Sequence, residues 1–172
     1  MPEFEERWGL KRDIYEKAVR AYAAKRSQLK NTRFVTVVDF SKRSNQKRLF
    51  LFDLAEDRMN AFLTSHGSGS DPGHSGLATA FSNSEESKKT SIGLYETLGT
   101  YGGKHGYSLR LKGLESTNNQ ALRRLIVVHG ASYVDEEKKI AGRSHGCFAL
   151  DPKLVRKVID RIKGGSLLIA DR

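Results

Sequence analysis

The chain contains one cysteine, and it closes the run Ser144-His145-Gly146-Cys147. Separated from that run by a fourteen-residue spacer, His129 ends the apolar stretch Leu125-Ile126-Val127-Val128. A cysteine and a histidine brought together make a nucleophile with its base. The thiolate attacks a carbonyl, while the imidazole takes up the thiol proton and returns it to the leaving group. Gly146 lets the backbone approach a substrate closely, and the amides of Gly146 and Cys147 are candidate donors to an oxyanion. A lone cysteine is more often a small buried hydrophobe. A core thiol, however, has no need of Ser-His-Gly before it, and a hydrophobic residue would end an apolar strand at lower cost than His129 does.

The elements that must position these groups follow from the pattern around them. Leu125 to Val128 reads as a buried strand that delivers His129, and Phe148-Ala149-Leu150 as a short strand that leaves Cys147. Joined by the polar loop from Asp135 to Arg143, the two strands would bring both side chains to one sheet edge. Asp151 and Pro152 have the chemistry of an N-cap and first helical residue, opening a helix that buries Leu154, Val155, Val158, Ile159 and Ile162. Gly164-Gly165 ends it, and residues 166–170 read as a buried returning strand. A helix so close behind Cys147 would pin the nucleophile strand against the core.

Upstream, Leu10, Ile14, Ala18, Tyr22 and Leu29 recur at near-helical spacing and predict an N-terminal amphipathic helix. Strands are expected at 34–40, 48–54, 58–65, 91–97 and 107–113, with Gly99, Gly102, Gly103 and Gly106 in the last connection. His105 in that connection reads as a structural histidine. Residues 65–76, rich in Gly and Ser, read as a long flexible loop of the kind that often borders a functional groove. The expected fold is mainly β over residues 34–172, with an N-terminal helical segment, 1–33, packed on it and a C-terminal helix.

These residues resemble the L,D-transpeptidase catalytic domain, also called YkuD-type, whose motif is a histidine, a spacer and Ser/Thr-His-Gly-Cys. Phe81-Ser82-Asn83-Ser84, residues 89–95 and residues 104–111 are similar, in the same order, to the murein L,D-transpeptidase branch, so the likeness spans roughly 34 to 172. The resemblance implies a mixed β-sandwich or barrel-like fold. It implies Cys147 as acylated nucleophile, His129 as base, His145 as a further catalytic-site histidine, and the Gly130 carbonyl as partner of the second nitrogen of His129. Ser144 and Gly146 would shape the nucleophile loop, and His66, Arg143 and Tyr95 are candidates for the substrate groove.

The same resemblance implies acyl transfer on peptidoglycan stem peptides through a Cys147 thioester, with release of D-alanine and formation of three-to-three cross-links. No cofactor is implied. Water as the acceptor would make an L,D-carboxypeptidase from the same residues, and a non-catalytic wall-binding protein is the other alternative. One departure is that many members carry a polar residue such as Arg or Asn two positions after the cysteine, where this chain has Phe148-Ala149. Sortases need a Thr-Leu-x-Thr-Cys strand that is missing here, and papain-like enzymes place the cysteine before the histidine, whereas no histidine follows Cys147.

Composition narrows the classes. At 172 residues the chain suits one core. No apolar run approaches a membrane span, so no integral membrane segment is expected. The net charge of +10 raises the question of nucleic acid, with Lys42-Arg43 and Lys47-Arg48 as its best support. Those residues read instead as a solvated hairpin tip, no zinc spacing or RNA-recognition signature accompanies them, and no nucleic-acid partner is expected. His66 and His74 lie eight residues apart with only Asp71 nearby, which matches no standard zinc pattern, so no metal is expected. The charged stretch from Glu3 to Lys30 has no hydrophobic core of a secretory signal. Because the resemblance implies a periplasmic or cell-envelope enzyme, the expectation is that an export signal is missing from this sequence.

Overall fold

Alternation along the strands decides the architecture. In β1 (Phe34–Asp39) and β8 (Leu167–Asp171) nearly every side chain is buried, so both faces of this part of the sheet must be covered. Phe34, Val38, Leu168 and Ala170 point into one apolar cluster, while Val35, Val37, Leu167 and Ile169 point into another. The two-residue period of a strand separates them. A computed structural model describes residues 9–172. Glu3 and the rest of the 1–33 segment before Gly9 lie outside the described residues.

Each cluster is closed by a helix. α1 (Arg12–Lys25) lays Ile14 and Ala18, together with Leu10 just before it, on the outer face of β1, β2 (Leu49–Asp53) and β8. A fourteen-residue helix is marginal alone, so this burial, about 1.5–3 kcal/mol for each large aliphatic side chain, is what holds it. α2 (Val155–Ile162) buries Val155, Val158, Ile159 and Ile162 in the inner cluster. With β3 (Arg58–Phe62), β4 (Gly93–Gly103), β5 (Gly106–Gly113), β6 (Val127–Gly130) and β7 (Phe148–Leu150), the strands form one sheet in the order β3-β2-β1-β8-β4-β5-β6-β7. It curls into a nearly closed, barrel-like shape. β1–β8 and β6–β7 are its parallel pairs.

Four local expectations need correction. The glycines after Leu98 do not form an open connection: β4 runs through Gly99, Gly102 and Gly103, with a bulge between Thr97 and Thr100, and only Lys104-His105 remain as a two-residue turn. α2 begins at Val155, because Asp151 accepts the Lys153 amide at 2.7 Å and the Leu154 and Val155 amides on its carbonyl, capping a turn that precedes the helix.

Arg48 is not part of a solvated tip but is fully buried. It donates to the Thr64 carbonyl twice, at 3.0 and 2.7 Å, to the Lys42 carbonyl at 3.0 Å, and to His66 Nδ1 at 2.9 Å. Residues 65–76 form a compact turn rather than an open loop, with only 72–75 exposed. His66, Ser70 and Asp71 are buried, and the Asp71 carboxylate receives the Ser75 amide and hydroxyl, the Gly76 amide and the His66 ring. A carboxylate with that many donors nucleates its own compact turn.

Candidate active site

β6 and β7 pair in parallel with Val128 opposite Phe148 and His129 opposite Ala149. Cys147 lies just before β7, two residues from Ala149, and the alternation of an extended chain would set it on the face of His129 at a diagonal position. β7 is the last strand of the sheet and β6 its neighbour, so the two apolar runs lie together at one end of the strand order.

His129 is buried, and its Nδ1 lies 2.9 Å from the Gly130 carbonyl. A carbonyl only accepts, so Nδ1 carries the proton, and in the neutral ring Nε2 holds the lone pair. Burial pulls the imidazole below its ordinary value, the Gly130 bond opposes this, and the charges of His105 and Lys104 add to the fall. Burial pushes the half-buried Cys147 thiol upward, while the Val127 backbone N–H, Arg124 and Lys104 pull it down. The thiol donates to the Leu125 carbonyl at 3.4 Å. At neutral pH both groups are accordingly uncharged, a protonated thiol and a free-base imidazole.

The nucleophile loop is held from one side by residues 64–68. Ser144 and Gly67 form an isolated parallel bridge, with the Ser144 amide on the His66 carbonyl and the Ser68 amide on the Ser144 carbonyl. The Ser144 hydroxyl donates to the Cys147 carbonyl at 2.7 Å and accepts the Gly146 amide at 3.1 Å. That last bond occupies one of the two amides expected to receive an oxyanion. Gly146 itself is buried at φ +121°, where a Cβ would lie 2.8 Å from the Ile126 side chain and the Lys89 carbonyl. Its glycine serves the packing behind the loop rather than access for a substrate.

The other expected residues divide. His145 is exposed and lines an opening with Glu85, Glu86, Lys88, Arg123 and Arg124. Arg143 is half-buried and holds the Asp71 and Pro72 carbonyls, so its guanidinium ties the 65–76 turn to the nucleophile loop. His66 and Tyr95 do not line a groove, being 1% and 0% exposed. His66 accepts from Arg48 on Nδ1, so its proton sits on Nε2 facing Asp71 at 3.3 Å. Tyr95 stands edge-on against Phe148 and donates to the Ser91 carbonyl, buttressing the strand that follows Cys147. Burial pushes its phenol up to about 12. Among the described residues, no three His, Cys, Asp or Glu side chains converge to hold a metal ion.

Two residues of the site were missed or undervalued. Arg124 reaches the Ser82 and Lys89 carbonyls at 2.8 and 2.6 Å, anchoring residues 82–89 beside the cysteine. Its charge acts on Cys147 from outside the segment that follows the cysteine, where Phe148-Ala149 offer no polar group. Its only sequence signal is a basic pair before a strand. His105, read as structural, lies on His129 with ring centroids 4.3 Å apart.

Comparison with known proteins adds to this geometry. A family model described as the L,D-transpeptidase catalytic domain matches residues 6–170. No curated protein matches the sequence. Among solved structures, an L,D-transpeptidase from Mycobacterium tuberculosis H37Rv is similar at 14% identity and TM-score 0.52, covering 81% of this chain and 58% of that one. L,D-transpeptidase 3 from Mycobacterium tuberculosis is similar at 12% identity and TM-score 0.51, covering 81% and 61%. An L,D-transpeptidase from Mycobacterium smegmatis follows at 14% and 0.50, covering 81% and 59%. At such identities the likeness concerns the fold alone, and this chain spans about three fifths of each of those proteins.

Proposed function

The chain belongs to the L,D-transpeptidase catalytic domain family, and from that premise we propose that it is a cysteine L,D-transpeptidase acting on peptidoglycan stem peptides in the cell envelope. The observation that supports the reading is the parallel register of β6 and β7, which puts His129 opposite Ala149, two residues after Cys147, with the proton of His129 fixed on Nδ1 by Gly130.

In this reading, Cys147 Sγ attacks the carbonyl of the diamino acid at stem position three, and its proton passes to His129 Nε2. The negative charge that develops on the carbonyl oxygen is received by the Cys147 amide, with Gly146 joining if its bond to Ser144 opens. The carbon–nitrogen bond then breaks, His129 returns the proton to the departing amine, and D-alanine leaves a thioester on Cys147. An amine of a second stem attacks the thioester, gives its proton to His129, and expels the thiol to form a three-to-three cross-link. Water in the amine's place makes a tripeptide instead, the L,D-carboxypeptidase outcome. A family that works on the wall accords with an envelope location, and among the described residues no helix is long and apolar enough to cross a membrane.

The test is mass spectrometry of muropeptides after incubation of disaccharide-tetrapeptide with the protein and with Cys147→Ala. A dimer formed only by the native protein supports the proposal, and a Cys147-dependent tripeptide alone points to the hydrolase. Equal products from both proteins would end the nucleophile assignment.

A further inference from the structure

Arg124, half-buried shortly before β6, gives its guanidinium to neutral acceptors. Nη1 donates to the Ser82 carbonyl at 2.8 Å, and Nη2 donates to the Lys89 carbonyl at 2.6 Å and to the Ser87 hydroxyl at 3.3 Å. Among the described residues no carboxylate lies within ion-pairing distance of it. Glu85, which lines the same opening, is paired with Arg123 instead. A cation taken out of water without a counter-ion is costly, and burial pulls the guanidinium below its ordinary value.

Two routes lead from this arginine to Cys147. Leu125, the next residue in the chain, offers its carbonyl to the thiol at 3.4 Å. The Lys89 carbonyl held by Arg124 packs so closely on Gly146 that a Cβ there would lie 2.8 Å from it. The Lys88 and Ser87 carbonyls likewise leave no room for a side chain at Gly67 and Gly69, and the Gly67 amide donates to Thr90 Oγ1 at 2.9 Å. Residues 82–90 are thus wedged between the arginine and the nucleophile loop, which holds the guanidinium one carbonyl away from Gly146.

We propose that Arg124 is a positioning residue for the acyl transfer: its unpaired charge is the counter-ion of the Cys147 thiolate, and its hold on Lys89 fixes the turn that carries the sulfur. The inference rests on the reading of Cys147 as nucleophile and adds to it the group that stabilises the attacking form. As the thiol proton passes to His129 Nε2, a negative charge appears on sulfur and a positive one on the imidazole. Arg124 favours the first, while the cations that act against the second are His105 and Lys104. A charge already in place needs no rearrangement at the moment of reaction. The other titratable groups that interact with the sulfur are Lys104, on the β4–β5 turn, and the phenols of Tyr95 and Tyr133, both pushed upward by burial and so neutral. Lys104 is exposed, so solvent screens it more than it screens the half-buried Arg124.

The experiment is the pH dependence of Cys147 alkylation by iodoacetamide in the native protein and in Arg124→Met, Arg124→Gln and Arg124→Lys. The two neutral variants should alkylate about tenfold more slowly at pH 8, with the midpoint moved upward, and Arg124→Lys should recover to within about threefold of the native rate. With disaccharide-tetrapeptide, kcat should fall in the same order while KM changes little. An unmoved midpoint in the neutral variants would overturn the proposal, and so would an equal movement in all three, which would reduce the arginine to packing. The carbon NMR shift of Arg124 Cζ reads the pair with the arginine in place. It should titrate with the alkylation midpoint in the native protein and stay flat in Cys147→Ala, and a flat signal in both would equally overturn the pairing. Alkylation needs no stem peptide, so these results stand apart from whether the muropeptide assay supports or removes the transpeptidase reading.

Discussion

His105 lies nearly flat on His129, with ring centroids 4.3 Å apart and planes 22° apart. One ring comes from the turn of the β4–β5 hairpin and the other from β6, so the far end of a long hairpin supports the proposed base. The stack and the Gly130 bond restrict the ring of His129 in two directions.

Replacing His105 separates support from charge. His105→Phe keeps a flat ring against His129 and should retain most of the activity, while His105→Ala should lower kcat by about tenfold, the scale of a loosened general base. The acid limb of the pH–rate profile should move upward in His105→Phe, because a positive neighbour that lowers His129 has been removed. An unchanged profile in both variants would assign His105 a purely structural part.

The pH dependence of acyl transfer follows from the directions at the pair. His129 sits below its ordinary 6.5 and Cys147 above its ordinary 9.0. With neutral imidazole required, kcat/KM should fall only on acidification below pH 6.5, and no loss should set in until the pH exceeds 9. Steady-state rates from pH 4.5 to 10 check this, and an acid limb centred above 6.5 would contradict the burial argument.

Stability should show its own acid transition from His66. Its value in the folded protein, about 4, is depressed from 6.5 by burial first and by Arg48 next. The unfolded chain therefore binds the proton more readily, and stability is fully present above 6.5 and is lost as the pH falls from 6.5 to about 4. The depression corresponds to roughly 3 kcal/mol. Urea unfolding at pH 7 and pH 4.5 measures the difference, and His66→Gln should flatten it.

Arg48→Met tests the buried network in the same assay. It strands the Thr64 and Lys42 carbonyls and His66 Nδ1 without their donor, at a cost of about 3–5 kcal/mol. Denaturant midpoints of Arg48→Met and Arg48→Lys should both fall, the latter less. A midpoint within error of the native one would show that the network contributes little.

Gly146→Ala should harm the site through its packing. At φ +121° an alanine is strained, and its Cβ meets a side chain and a carbonyl at 2.8 Å. A loss of about 2–5 kcal/mol is expected, with a shift of the loop that slows alkylation of Cys147 by iodoacetamide. Native stability and alkylation rate in this variant would argue that the loop gives way without cost.

Much of this protein is legible along the chain. The two-residue alternation around Val35–Val38 and Leu167–Ala170 and the helical spacing of Val155 to Ile162 specify strands and helices, because each residue's face depends only on its near neighbours. The run Ser144 to Cys147 with His129 pointed to the family for the same reason, since residue type and order are local properties. Partners across the fold are not local. Periodicity does not say that Arg48 meets His66, that Tyr95 sits behind Phe148, or that Ser144 takes the Gly146 amide. Those choices were made when a curled sheet brought segments distant in sequence into one interior, where every buried polar group had to find a donor or acceptor. The stack of His105 on His129 belongs to this second kind: it depends on the bulge and length of a hairpin whose glycines, read one after another, looked like a loop.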